Sequence, residues 1–280
     1  MDATGMWRYH NAALEDHFVV VYWTQRGTGR SYTSNIPPAS MNLAQFVADL
    51  DQLVAHLKRR FDQPKVVLAG HSWGTNIGVA YAQAHPENVS AYVGIGQIAN
   101  SAEGERRSYA FTLAEATRRG DQKALAELKQ IGPPPYAFSA LIAQRGWLEK
   151  YGRGWHKPTS LFQLMLTSYH ASEMTWYDGI KFKAGGDFSG NALQAEVAKF
   201  DWMGTATKFE MPIFIVAGRY DRNTDADLAR DYFERIEAPY KQFKWFENSA
   251  HSPPFEEAAA FNDFVIRDIL PVARQRPTGR

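Results

Sequence analysis

Three residues in this chain could do nucleophilic chemistry if folding brought them together: Ser72, Asp221 and His251. Ser72 lies in Gly70-His71-Ser72-Trp73-Gly74, after the apolar run at 66–69 and before a helix-compatible segment, 76–85, closed by Pro86. A strand, a sharp turn and a helix around G-x-S-x-G form a nucleophile elbow. Glycines flank the serine because a neighbouring side chain would clash in so tight a turn. The hydroxyl is then pushed out above a sheet, and the backbone N–H of Trp73 points at a developing oxyanion. A serine hydroxyl is a weak nucleophile until a base takes its proton. That base must itself be oriented by a carboxylate.

Asp221 and His251 fit the two remaining roles by position. Asp221 follows the apolar run at 213–217, and His251 follows the run at 242–246. All three residues therefore fall at the carboxyl ends of predicted strands, where ligands and catalytic groups collect in parallel sheets. Asp225 and Asp227 compete with Asp221, but they read as first-turn residues of the next helix, where the dipole favours carboxylates. Among the other histidines, His56 falls inside a helix, His85 precedes a helix-ending proline, and His156 and His170 lie in a long insertion. His71 neighbours the serine in sequence, yet the turn should aim it away.

The elements that must position these residues alternate. Residues 6–15 suggest a short helix start or a loop. Residues 18–23 (Phe-Val-Val-Val-Tyr-Trp) are a continuous apolar run, predicted to be a strand buried on both faces of a parallel sheet. The loop at 25–31 has neither glycine spacing of a phosphate cradle. From 42 to 61, Leu43, Phe46, Val47, Leu50, Leu53, Val54, Leu57 and Phe61 recur at helical spacing, an amphipathic helix with one core stripe. Lys58, Arg59 and Arg60 close it as a solvated end that complements the dipole. Further strands at 66–69 and 91–95 complete a strand–helix alternation, which predicts an α/β fold with a mostly parallel sheet and helices on both faces.

The alternation stops near Asn100 and resumes at Pro212, with a helix at 225–235 and a closing helix at 256–270. The domain expectation is therefore a core of 1–100 and 206–280 and a helical cap insertion at 101–205. Such an insertion covers the ends of the strands and shapes a pocket. Most of its aromatics read as the cap's own core. Trp176 and Tyr177 are candidate substrate contacts.

Composition narrows the function classes. The 280 residues suit one domain or a domain with an insertion. A formal net charge of +1 gives no electrostatic case for nucleic acid. Zero cysteines exclude disulfides, thiol nucleophiles and thiolate metal sites. No apolar run suggests a membrane span, and the N-terminus lacks the basic and apolar regions of a signal peptide. A cytoplasmic location is the resulting expectation; oligomeric state is not readable.

On its loop at 25–31, the elbow 70–74, Gly218-Arg219-Tyr220-Asp221 and Ser249-Ala250-His251-Ser252, the chain resembles the α/β-hydrolase family, within it the proline iminopeptidase-like group. The resemblance covers nearly the whole chain and follows the order Ser, acid, His along it. It implies a cofactor-free, metal-free enzyme with Ser72 as nucleophile, Asp221 as orienting acid and His251 as general base. The implied substrate is a small ester, amide or short peptide, cleaved through an acyl-enzyme. A prolyl aminopeptidase is the alternative within the class, and a catalytically impaired hydrolase-like binding protein the alternative outside it.

Two departures bear on these expectations. The Trp-Glu and Glu-Asn-His-Tyr segments with which prolyl aminopeptidases meet a free amino group are not found here; Glu173 is the nearest candidate for binding an ammonium group in their place. A His-Gly-Gly-Pro-Gly-like loop, source of a second oxyanion N–H, and the first strands are absent before Met6. In the family's strand order the third strand lies between the runs at 18–23 and 66–69. The expectation is thus a shortened hydrolase in which the two runs pair directly, another chain fills the gap, or backbone there stays unpaired at a cost.

Overall fold

The computed structural model describes residues 4–156 and 176–275, with the side chains of 176–180 not described. Four strands form one sheet: β1 (Val66–His71), β2 (Val89–Ile95), β3 (Ile213–Gly218) and β4 (Lys241–Phe246). They are ordered β1-β2-β3-β4, and every neighbouring pair is parallel. Parallel neighbours need crossover connections, which helices supply. α1 (Thr4–Asn11) and α2 (Leu43–Phe61) precede β1; α3 (Trp73–Ala84) joins β1 to β2, a run of helices beginning at Ser101 lies between β2 and β3, and the helix Ala226–Arg235 joins β3 to β4.

The strands' two faces carry separate cores. On one face Tyr92, Ile213 and Ile215 pack with Phe46, Leu50 and Val54 of α2, and with Ile77, Val79 and Tyr81 of α3. Leu228, Tyr232 and Phe233 of the helix Ala226–Arg235 join them. On the other, Ala91, Val93, Ile95, Phe214 and Val216 pack with Leu14, Phe261, Phe264 and Ile269. The alternation along β2 and β3 is the period-2 geometry of a strand, with both faces apolar because both are covered.

The helix at 42–61 runs as read, capped by Asn42, whose side chain accepts from the Gln45 N–H. Its last turn is not merely solvated, because Lys58 donates to the Asn88 side chain.

Between β2 and β3 come α4 (Ser101–Arg119), α5 (Gln122–Ile131) and α6 (Phe138–Lys150), then a helix at Trp176–Val197. Ala116, Ala124, Leu128, Trp147 and Tyr151 form an apolar cluster among the first three of these helices. The closing helix is broken rather than continuous: Pro253–Glu256, Ala258–Phe264, a π turn at Val265–Ile269, and Leu270–Arg274.

The run at 18–23 is not a strand. Phe18 and Val20 lean on the second core and Trp23 on the first, but Val19 is 64% and Val21 44% exposed. Six apolar residues in a row predict burial on both faces only when ladder partners lie on both sides. Here the run and β1 do not pair, and β1 pairs only with β2 among the described residues. Direct pairing of the two runs is therefore excluded.

Candidate active site

Ser72 sits between β1 and α3 with φ 54° and ψ −120°, a left-handed backbone that a non-glycine residue adopts only when its surroundings impose it. The impositions are local. The Ser72 N–H donates to the Ile95 carbonyl at the end of β2, and the Ser72 carbonyl accepts from the N–H and hydroxyl of Thr75. Gly70 is required, since a Cβ there would lie 2.5 Å from the Gly74 carbonyl oxygen. Gly74 is not required in the same way: a Cβ on it would meet nothing within 4 Å. The expectation that both glycines relieve a clash holds for Gly70 alone.

Trp73 is the first residue of α3, so its N–H has no acceptor within the helix. Its indole N–H donates to Gln25 Oε1 at 3.0 Å, tying the elbow to the 25–31 loop. That loop is braced in turn by the two-point pairing of Arg26 with Asp49.

Asp221 follows β3 and is 1% exposed. Its Oδ1 accepts from the N–H groups of Asn223 (2.7 Å) and Thr224 (3.1 Å), and its Oδ2 from the Thr224 hydroxyl (2.8 Å). The remaining contact of Oδ2 is His251 Nδ1, at 2.9 Å. Burial pushes this carboxyl up, but the His251 imidazole and the Thr224 donors outweigh it and hold the group below the usual carboxylate range. Asp225 and Asp227 are engaged elsewhere. Asp225 caps the helix Ala226–Arg235 through the Leu228 N–H and pairs with Arg107 and Arg222, and Asp227 pairs with Arg222.

His251 stands in the loop after β4. Its ring lies over Gly96, where a Cβ would come within 2.9 Å of Cε1 and 3.0 Å of Nδ1. Gly96, with φ 54°, follows Ile95, the residue holding the Ser72 N–H, so Ser72 and the imidazole both lie against the end of β2. Among the described residues no hydrogen bond joins the Ser72 hydroxyl to the imidazole; such contacts commonly tighten only around substrate.

The other histidines lie as follows. His56 is exposed on α2, and His85 lies beside Asp51 and Glu87. His156 stacks on Tyr220 at 3.7 Å. His170 and Glu173 lie outside the described residues, as do the side chains of Trp176 and Tyr177.

Sequence reasoning missed the neighbours of His251. The His71 ring is not idle: its Nε2–H donates to the His251 carbonyl at 2.9 Å, and the two ring centroids are 5.0 Å apart. Trp7 and Phe255 enclose it edge-on. Burial, reinforced by the nearby His251, lowers its pKa to about 4. Glu149, at the end of α6, packs its Cγ against Gly154, whose carbonyl accepts the His251 N–H at 3.1 Å. Though Glu149 is exposed as a residue, desolvation raises its carboxyl, with His251 pulling it down. Only a three-dimensional arrangement places a carboxylate of α6 in the field of the imidazole.

A stability consequence follows from His71. Its folded pKa lies below the unfolded value of 6.5, so above that value both states are neutral and the group contributes nothing to pH dependence. As pH falls, the unfolded chain binds the proton first and stability is lost until the folded pKa is reached. Between about pH 7 and about pH 5 this single site is expected to cost on the order of 2 kcal/mol. Urea unfolding at both pH values should show that loss in the wild type and a correspondingly smaller one in His71→Gln. Equal losses in both proteins would refute it.

The family follows from comparison with known proteins. A model described as the alpha/beta hydrolase family matches residues 3–264. A probable aminopeptidase of Bacillus subtilis (strain 168) is 30% identical over 275 residues, covering 94% of this chain and 83% of that protein. The chain belongs to the alpha/beta hydrolase family.

Solved hydrolases share the fold. A proline iminopeptidase of Mycobacterium smegmatis superposes with a TM-score of 0.67 at 13% identity, covering 97% of this chain and 87% of that one. An esterase from Exiguobacterium antarcticum gives 0.61 at 16% identity, covering 93% and 85%. Peptidase and esterase names thus both occur among the relatives of this hydrolase. Among its described residues no helix is long and apolar enough to cross a membrane.

Proposed function

We propose that this hydrolase cleaves a small ester or amide through an acyl-enzyme on Ser72. The observation carrying the reading is the 2.9 Å contact of His251 Nδ1 with the buried Asp221 carboxylate, on the rim where the strained Ser72 leaves β1. An ionised Asp221 requires the proton on Nδ1, leaving Nε2 free to accept one. In the proposed sequence Nε2 takes the Ser72 hydroxyl proton as Oγ attacks the acyl carbon. The oxyanion forms beside the Trp73 N–H. The imidazolium then protonates the leaving amine or alcohol, and the acyl-enzyme forms. Water, deprotonated by the same nitrogen, adds to the ester, and its collapse returns the proton to Ser72 Oγ.

Within this class an aminopeptidase is the second reading. It is supported by the aminopeptidase name of the 30% identical relative and by Glu149, a carboxylate packed against Gly154, whose carbonyl binds the His251 N–H, and so available for a substrate's free ammonium. The chain is proposed to act in the cytoplasm on small molecules or short peptides.

A fluorophosphonate probe tests the proposal. Labelling is expected on Ser72, absent in Ser72→Ala, and competed by whichever substrate is turned over. Proline β-naphthylamide set against short p-nitrophenyl esters separates the two readings. A folded protein whose serine stays unlabelled, with neither substrate hydrolysed, would instead favour a binding role.

A further inference from the structure

The loop carrying His251 is held from a direction the acyl-transfer chemistry does not use. Glu256 Oε1 accepts from the Ala250 N–H and from the Ser252 N–H, both at 3.0 Å. One carboxylate oxygen therefore holds the N–H groups of the residues on either side of His251. The other oxygen, Oε2, accepts from the His156 N–H at 2.7 Å, on the strap that follows α6. Two residues earlier on that strap, the Gly154 carbonyl accepts the His251 N–H. Glu256 thus joins the strap and the loop while the strap itself binds the residue between its two donors. The neighbouring Glu257 holds only the earlier part of the loop, through the Asn248 N–H and the Ser249 hydroxyl.

We propose that Glu256 is a positioning residue that sets the His251 imidazole against Ser72, an inference that rests on the acyl-transfer reading above. The backbone N–H groups of Ala250 and Ser252 have different directions along the chain. Bringing both to one acceptor bends the loop around residue 251 and directs its side chain back toward β2 and Gly96. Without the carboxylate the two N–H groups must find water, and the loop is free to reopen. A shift of about 1 Å in a catalytic group costs on the order of a hundredfold in rate. An amide in place of the carboxylate keeps an acceptor for one side only. With Oε1 facing Ala250 and Ser252, its NH2 meets the His156 N–H donor to donor.

Four proteins test this: the wild type, Glu256→Ala, Glu256→Gln and, as a control for general loosening of the loop, Glu257→Gln. Two readouts are needed. The first is steady-state hydrolysis of a p-nitrophenyl ester. The second is the downfield proton NMR resonance of the His251–Asp221 hydrogen bond, assigned by its loss in Asp221→Asn. Glu256→Ala is expected to lose about a hundredfold in kcat with KM within about twofold, and to broaden or shift the resonance. Glu256→Gln should fall between it and the wild type, and Glu257→Gln should leave the resonance in place.

An unchanged kcat and resonance in both Glu256 variants would overturn the proposal. So would a lowered thermal midpoint with the resonance unmoved, which is what a purely structural role produces. If Glu256→Ala does not fold, the Glu256→Gln resonance decides alone. A wild type that shows the resonance but neither Ser72 labelling nor turnover would sink the acyl-transfer reading, while the resonance in the variants still tests the positioning of His251.

Discussion

Asp221→Asn is expected to lower kcat by about ten-thousandfold while leaving KM and the thermal midpoint near their wild-type values. The substitution is isosteric, so the two N–H groups of Asn223 and Thr224 keep an oxygen acceptor. The loss falls on the other side of the group. An amide NH2 would replace the oxygen that now faces His251 Nδ1 and the Thr224 hydroxyl. The hydroxyl can rotate and accept, but the imidazole must change tautomer, with Nδ1 accepting from the amide and the proton moving to Nε2. A protonated Nε2 cannot take the proton of Ser72, and the imidazolium that forms during attack loses its counter-charge. Ester hydrolysis at neutral pH, with Ser72→Ala as background and circular dichroism as the check on folding, measures the effect. A loss of less than about tenfold would mean that another group orients His251.

This expectation could be framed from sequence because its parts are local. An elbow needs a strand, a turn and a helix in immediate succession, and residues 66–84 supply them in that order. Asp221 and His251 were legible because each follows an apolar run that ends on the same rim of a parallel sheet. What was not legible depends on distance along the chain. His71 meets the His251 carbonyl across 180 residues, and Glu256 meets the His156 N–H across 100. Neither residue type signals such a contact: a histidine beside a serine and a glutamate ending a one-turn helix are both unremarkable in isolation. The 18–23 run failed for the same reason in reverse. Its residue types suit a buried strand, but strand identity belongs to the ladder, and the backbone of this segment finds none.

Gly218→Ala is the substitution expected to damage fold and function together. Gly218 ends β3, and a Cβ on it would sit 1.9 Å from the Ala250 carbonyl oxygen and 2.5 Å from that of Ser249. Both are backbone atoms, so no side chain can swing aside. Carbon–oxygen contacts settle near about 3.3 Å, and the loop would have to retreat by more than about 1 Å. It cannot retreat freely, because the Tyr220 N–H donates to the Ser249 carbonyl and the Arg219 N–H to the Phe246 carbonyl. Relief therefore breaks a strand-end bond or moves Ala250 off Glu256, and either displaces His251. Overpacking of this kind costs about 1–3 kcal/mol, and the misplacement about a hundredfold in kcat. Denaturant unfolding and ester hydrolysis report the two effects separately, with Gly74→Ala as the contrast, since its Cβ meets open space. Wild-type stability and turnover in Gly218→Ala would mean that the His251 loop yields without cost. A loop that yields in that way could not hold an imidazole in place, whatever carboxylate lay behind it.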